Sequence, residues 1–425
     1  MRSQRDRAEI CVIGLGYIGL PTAVVLAEAT GSVVGYDINS KKLTQIADAV
    51  LPFGEEDGLE QLLKKVIHGG KLSISNEVVP ARCYVIAVPT PISSDKQPDL
   101  SMVREAISEI ADHLVGDELI IIESTCPPGS TAEIARQIEE SRPELSSMMN
   151  SGSLAFAYCP ERVIPGRILY ELVNNDRIVG GLTPGATERA ALVYETFCEG
   201  NVLKTDAKTA ELAKLAENAF RDVNIAFANE LESISWKLGV DAREMIRLAN
   251  QHPRVNILQP GPGVGGHCIA VDPWFLVSAS DSPSKLIETA RVVNDNRPAE
   301  VVERLALQVG KSTPKFLVLG LTYKENVEDL RESPSTKVVL EIIARWPDAK
   351  VDVVDPHAPC LPAELQQYSQ VGLLKKLPSA MEDYDSLVGL VAHDLFMDAN
   401  WESIDRDSIV DMRGFLSAKN QDCSE

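Results

Sequence analysis

Basic residues are in short supply in this chain of 425 residues: 41 Lys and Arg stand against 62 Asp and Glu, a formal net charge of -21. So acidic a protein is repelled by phosphate backbones and anionic lipid surfaces, which argues against nucleic-acid and membrane partners. No uninterrupted apolar run is long enough to span a bilayer. The opening residues, Met1-Arg2-Ser3-Gln4-Arg5-Asp6-Arg7, lack an apolar leader core. Cysteines occur at 11, 83, 126, 159, 198, 268, 360 and 423, with no Cys-x-x-Cys pair and no His/Cys cluster of zinc spacing. Disulfides and a metal are therefore not expected, and a reducing cytoplasm is the expected compartment. Short-period repeats, low-complexity tracts and coiled-coil heptads are missing too.

What is present is alternation of strands and helices. Near-continuous apolar runs at 9–14, 33–37, 83–88, 119–123 and 154–158 read as buried strands, with helical patterns around 100–114 and 130–140 between them. This is the pattern of a parallel, doubly wound sheet. Residues 206–250 differ: Leu212, Leu215, Ala216, Ala219 and Phe220 repeat with helical period, continuing through Ile225, Ala226 and Leu231. The spacing predicts a spine helix longer than about 25 residues. Helix resumes at 285–308. A second α/β unit opens at 316–320, with a helix near 335–346 and strands at 351–355, 387–391 and 408–411. Both halves show strand, turn, helix, and a strand ending in Asp.

Gly14-Leu15-Gly16-Tyr17-Ile18-Gly19 follows a strand and opens a helix with Pro21 near its start. Glycines there let the backbone reach a pyrophosphate, and the helix N-terminus offers unpaired N–H groups. Asp37 ends the next strand, about 20 residues on, where a carboxylate accepts from a ribose 2′-hydroxyl and repels a 2′-phosphate. NAD is thus expected over NADP. Lys42 is placed to cover the ribose or pyrophosphate edge.

Cys268 follows Pro260-Gly261-Pro262-Gly263-Val264-Gly265-Gly266-His267, a segment too rich in Gly and Pro for helix or strand interior. It reads as a loop that presents a thiol, with Asp272 close behind. His267 adjoins the thiol, but neighbouring side chains diverge, so it is not expected to be its base. Cys11, Cys83, Cys159 and Cys198 read as inert buried thiols. Lys214 and Asn218, four apart on the spine helix, share a face on which an ammonium can stabilise an oxyanion.

With these residues in place, the chain resembles the UDP-glucose/GDP-mannose dehydrogenase family over nearly its full length, most specifically through Gln259 to Phe275. The resemblance implies two Rossmann-like doubly wound parallel-sheet domains joined by a central helical domain with the spine helix: an NAD-binding part at 1–205, a helical part carrying the thiol loop at 206–309, and a UDP-binding part at 310–425. It implies catalytic roles for Cys268 as nucleophile, Lys214 and Asn218 as oxyanion donors, Asp272 as partner acid, Thr125 as holder of a water and Glu161 as a base. Gly14, Gly16, Tyr17, Ile18, Gly19, Asp37, Lys42, Pro89, Thr90, Thr125 and Arg331 are the implied cofactor contacts. Glu161, Arg162, Lys214, Asn218, Gly265, Lys324 and Arg413 are the implied substrate contacts, and Arg254 reaches the sugar site of a neighbouring subunit in a homodimer or larger oligomer. The implied reaction is a four-electron oxidation of a UDP-sugar C6 alcohol to a carboxylate with two NAD.

The loop wording is nearest to enzymes of UDP-N-acetyl-D-mannosamine. Pro165, standing where UDP-glucose enzymes carry a second glutamate, also favours an N-acetylhexosamine, with UDP-N-acetylglucosamine the second reading. A two-electron β-hydroxyacid-type dehydrogenase, or an NAD-sensing protein with Cys268 as a redox switch, remain as other classes.

Overall fold

The computed structural model describes residues 7–416 apart from positions 55, 164–165, 267, 280–283 and 402–403. His267 and Pro165 therefore lie outside the described residues. The chain divides into two compact units, Met1–Glu217 with Trp274–Asp281, and Asn218–Pro273 with Ser282–Glu425.

The first unit holds eight strands: β1 Ala8–Ile13, β2 Val33–Tyr36, β3 Leu72–Ser75, β4 Ala81–Ile86, β5 Leu119–Ile122, β6 Ala155–Tyr158, β7 Arg177–Gly181 and β8 Val202–Asp206. Their order is β3-β2-β1-β4-β5-β6-β7-β8. Alternate residues feed opposite layers. Ile10 and Val12 pack with Leu20, Ala23 and Val24, whereas Cys11 and Ile13 pack with Val103, Ile107 and Ile110. Two apolar faces explain the unbroken apolar runs. One pairing departs from the expected parallel sheet: β6 and β7 are antiparallel. Arg177, the first residue of β7, is ion-paired to Glu161 just past the end of β6. The chain between, with only the short helix Ile168–Asn174, has not travelled back along the sheet, so β7 must run the opposite way.

The second unit carries a five-stranded, wholly parallel sheet: β9 Lys315–Leu319, β10 Lys350–Val354, β11 Val371–Leu374, β12 Ser386–Gly389 and β13 Ile409–Asp411, ordered β11-β10-β9-β12-β13. Chain direction across the sheet switches between β1 and β4 in the first unit and between β9 and β12 in the second. In doubly wound sheets ligands bind beside such a switch, at the carboxyl ends of the strands.

The spine helix runs Ala207–Leu238, 32 residues. Its apolar positions split into two sets. Leu215, Ala219 and Ala226 are buried, but Leu212 is exposed, and Phe220 (70%), Phe227 (52%), Ile234 (47%) and Leu238 (72%) form an exposed stripe at spacings of seven, seven and four. Periodicity identified the helix but could not say which apolar positions face the core. Cys198 also differs from expectation: it is half-buried, its thiol donating toward the Asn175 carbonyl at 3.5 Å, because it sits in the surface turn before β8.

Candidate active site

Each glycine of the first turn has its own reason. Gly14 has φ +90°, and a Cβ there would lie 2.7 Å from the Ala87 carbonyl oxygen. A Cβ on Gly19 would lie 1.9 Å from the Gly14 oxygen, so the first turn of helix Gly19–Thr30 must pass close over β1. A Cβ on Gly16 would meet nothing within 4 Å. Its surface is open where the helix N-terminus presents its N–H groups, which fits a pyrophosphate. The Tyr17 phenol is turned to Glu56, whose carboxylate also accepts from the Gly166 N–H at 2.8 Å. Ile18, half-buried, stands at the N-cap of helix Gly19–Thr30.

Asp37 accepts from Leu15 N–H (2.9 Å), Asn39 N–H (2.9 Å) and Lys42 Nζ (2.7 Å). Lys42 is therefore tied to the Asp37 carboxylate. These groups fit the adenosine half of a dinucleotide.

Along the carboxyl edge of the same sheet, Ser124 Oγ donates to the Val88 carbonyl at 2.7 Å, binding Glu123-Ser124-Thr125 to the segment carrying Pro89 and Thr90. Thr125 is half-buried beside them. Glu161 is buried, its Oε2 3.2 Å from Arg177, its Oε1 accepting its neighbour's N–H at 2.6 Å. Arg162 is bonded to Glu217. Lys214 is 7% exposed, an unusual place for a lysine and suited to a closed site. Sequence reasoning missed Glu123. It is buried, and burial first, then the charge of Glu161, pushes its carboxyl up to about 7.

In the second unit the thiol loop is held on two sides. Asn229 of the spine helix accepts from Gly261 N–H at 2.8 Å and donates to Asn294 at 2.8 Å, and Arg297 donates to the Gly261 carbonyl at 3.1 Å. Gly266 N–H donates to the Arg331 carbonyl at 3.1 Å. A Cβ on Gly265 would lie 2.7 Å from Tyr323 Cβ and 2.8 Å from the Glu332 carbonyl oxygen. Only glycine lets the loop lie so close against the segment Leu321–Pro334. The Cys268 carbonyl accepts from Val271 and Asp272 N–H at 3.1 and 2.8 Å, closing a turn that leaves the cysteine exposed. Cys11, Cys83 and Cys159 are buried, and burial pushes each thiol up to about 12, so they stay protonated. Cys126, also buried, is raised as well.

Asp272 is buried and accepts from Asn218 Nδ2 at 2.6 Å. The carboxylate fixes the amide at the turn that carries the thiol. Lys324 is half-buried. Arg331 forks onto Asp329 at 2.9 and 2.6 Å, and Arg413 pairs with Glu325. The Arg413 guanidinium reaches within 3.5 Å of where a Gly261 Cβ would stand. Arg331, an expected cofactor contact, also meets the thiol loop through its carbonyl, which accepts from Gly266 N–H. Arg254 is exposed, its own N–H bonded to His252. Asn229, Arg297 and Tyr323 were not read from the sequence, which gives no sign of which helix residues will meet a loop.

Three family models match the chain in series. The UDP-glucose/GDP-mannose dehydrogenase family NAD binding domain matches residues 8–198, the family's central domain residues 208–296, and its UDP binding domain residues 317–418. An NDP-N-acetyl-D-galactosaminuronic acid dehydrogenase of Ralstonia nicotianae is 45% identical over 97% of both chains. A UDP-N-acetyl-D-mannosamine dehydrogenase of Escherichia coli is 44% identical over 96% of this chain and 99% of its own. Among solved structures, a UDP-D-ManNAc dehydrogenase from Pyrococcus horikoshii superposes with a TM-score of 0.85 at 38% identity, covering 96% of each chain.

Proposed function

The chain belongs to the UDP-glucose/GDP-mannose dehydrogenase family and is an NAD-dependent UDP-sugar dehydrogenase; from that premise we propose that it oxidises the C6 alcohol of UDP-N-acetyl-D-mannosamine to the uronate. The relatives that act on N-acetylhexosamines support this sugar. UDP-N-acetylglucosamine is the second reading. The division at 1–205, 206–309 and 310–425 is part of the proposal, supported by the three matched segments.

The observation that carries the mechanism is an exposed thiol at the head of a glycine-shaped turn, with Asp272 of that turn bonded to Asn218 of the spine helix. NAD, when bound, supplies the acceptor for a hydride in each of two oxidations. The first leaves an aldehyde at C6. The Cys268 thiolate adds to that carbon, forming a C–S bond while the carbonyl π bond opens to a hemithioacetal oxyanion. Lys214, and Asn218 oriented by Asp272, donate to this oxyanion. The second oxidation leaves a thioester on Cys268. Thr125 holds the water that attacks it, Glu161 takes the proton, and the C–S bond breaks to return the thiol and release the carboxylate. Holding the carbon on sulfur keeps the aldehyde from escaping. Gly265, Lys324 and Arg413 take the UDP moiety, with Arg162 and Glu161 at the sugar.

A homodimer belongs to the same reading, formed on the exposed stripe Phe220, Phe227, Ile234 and Leu238 and bringing Arg254 to the partner's sugar. Regular apolar spacing over five turns matches a second copy of the same helix. A cytoplasmic location goes with it, since the substrates are charged metabolites made inside cells.

The test is stoichiometry. UDP-N-acetyl-D-mannosamine with excess NAD should yield two NADH per sugar, and Cys268→Ala should lower uronate formation by at least about a thousandfold. One NADH per sugar together with an undiminished Cys268→Ala enzyme would overturn the mechanism.

A further inference from the structure

Behind Glu161 lies a second carboxyl group that the mechanism above leaves unused. Glu123 directly follows β5 and is 3% exposed. Elements on all sides close over it. Thr22 Oγ1, in the first turn of helix Gly19–Thr30, donates to Glu123 Oε2 at 3.1 Å, and the Tyr194 hydroxyl, ending helix Pro184–Tyr194, donates to Oε1 at 2.7 Å. Cys83 on β4 and Cys159 after β6 face it as neutral thiols. The charged groups facing it are Glu161 and Arg177. Arg177 is 4% exposed, bonds Glu161 directly, and lies over the rings of Tyr194 and Phe197 at 5.1 and 5.3 Å.

The charge balance follows from this list. Two buried carboxyl groups face one buried guanidinium, and a second bare negative charge in so dry a place is strongly disfavoured. Glu161 holds the ion pair, so the remaining proton falls to Glu123.

We propose that Glu123 is a positioning residue for Glu161: it stores the proton that keeps this buried pair at one negative charge, and releasing that proton raises the basicity of Glu161 in the hydrolysis step. The proposal rests on the role given to Glu161 above. Burial and the neighbouring charge place the release near neutral pH, at about 7 against an ordinary 4.5. A second negative charge thus arises beside Glu161 as the pH rises through that range.

Glu123→Gln keeps acceptor and shape and removes the titration. Two measurements test it. The first needs no substrate. A carboxyl group whose folded pKa is raised adds stability that is present below about 4.5 and lost as pH rises to about 7. The melting temperature of the parent should therefore fall relative to Glu123→Gln between those values and run parallel to it above them. The second is turnover. The parent kcat should rise through an inflection near neutrality that the variant lacks, with KM for the sugar nucleotide within about twofold. A merely structural role would lower kcat equally at every pH. Tyr194→Phe removes one donor to the ionised carboxyl and should move both inflections to higher pH, which keeps the idea testable if Glu123→Gln folds poorly. Parallel melting curves at every pH would show that Glu123 holds no such proton. A melting difference with superimposable kcat profiles would refute its action on Glu161. Failure of every UDP-sugar to reduce NAD would sink the mechanism while leaving the melting result to be read.

Discussion

The turn after β1 and the turn after β9 begin alike and end in opposite states. Gly14 and Gly320 have φ of +90° and +94°, and each donates to the last residue of the neighbouring strand, at Tyr36 and Val354. Leu15 and Leu321 then donate their N–H to an aspartate just past that strand, Asp37 at 2.9 Å and Asp355 at 2.7 Å. The third position separates them. Gly16 leaves open space, whereas Thr322 fills its place with a buried hydroxyl 3.2 Å from His393 Nε2. Asp355 is fully buried and takes the N–H groups of Leu321, Thr322, His357 and Ala358 together with the His393 ring at 3.1 Å. No acceptor remains for a ribose. One backbone device leaves its third position open in the first unit and fills it with its own side chains in the second.

That contrast breaks most easily at Asp355. Asp355→Ala strands four N–H groups and a buried imidazole, an expected loss of about 3–5 kcal/mol and of roughly 10 °C in the melting transition. Asp37→Ala should cost far less in stability. Equal melting losses would erase the distinction. Acid sharpens it further. The bonds from His393 and the backbone overcome burial and hold the Asp355 carboxyl well below its usual range. Its contribution is therefore present above about pH 4 and lost as pH falls, and Asp355→Asn should flatten that acid limb. A smaller effect, on ligand rather than fold, belongs to Gly16. Gly16→Val puts a side chain into the cradle and should raise KM for NAD by about tenfold or more, with kcat at saturation and melting temperature little changed. Smallest is Asp37→Ser, which removes the charge that repels a 2′-phosphate. The ratio of kcat/KM for NAD over NADP should fall by about tenfold, read from initial rates with each cofactor.

The sequence made the central strands, the long helix and the glycine fingerprint legible because their signals are local: period, apolar runs, and a strand–Gly–helix succession. β3, β8 and β11 escaped notice since edge strands such as Leu72-Ser73-Ile74-Ser75 mix polar with apolar residues. The antiparallel β7 was hidden because its direction depends on where the preceding chain arrives. Among site residues, Cys268 announced itself through its glycines. Glu123 did not, for a glutamate at the end of a strand looks the same whether solvated or sealed beside another carboxyl. Lys42 was visible as a cation five residues past Asp37, but its engagement with that carboxylate was not.

By itself, the order of residues determined two doubly wound sheets, a glycine turn with an acid after the next strand, and a thiol brought out on a loop that only glycine can trace. All of these follow from steric rules acting over a few neighbouring residues. Tertiary structure alone decided which of two matching aspartates is sealed among four N–H groups and an imidazole, which cysteines are buried, and that the carboxyl after β5 is closed off from water. Those outcomes depend on desolvation and on partners 16 to 101 positions away in the chain, and no local pattern records such distances.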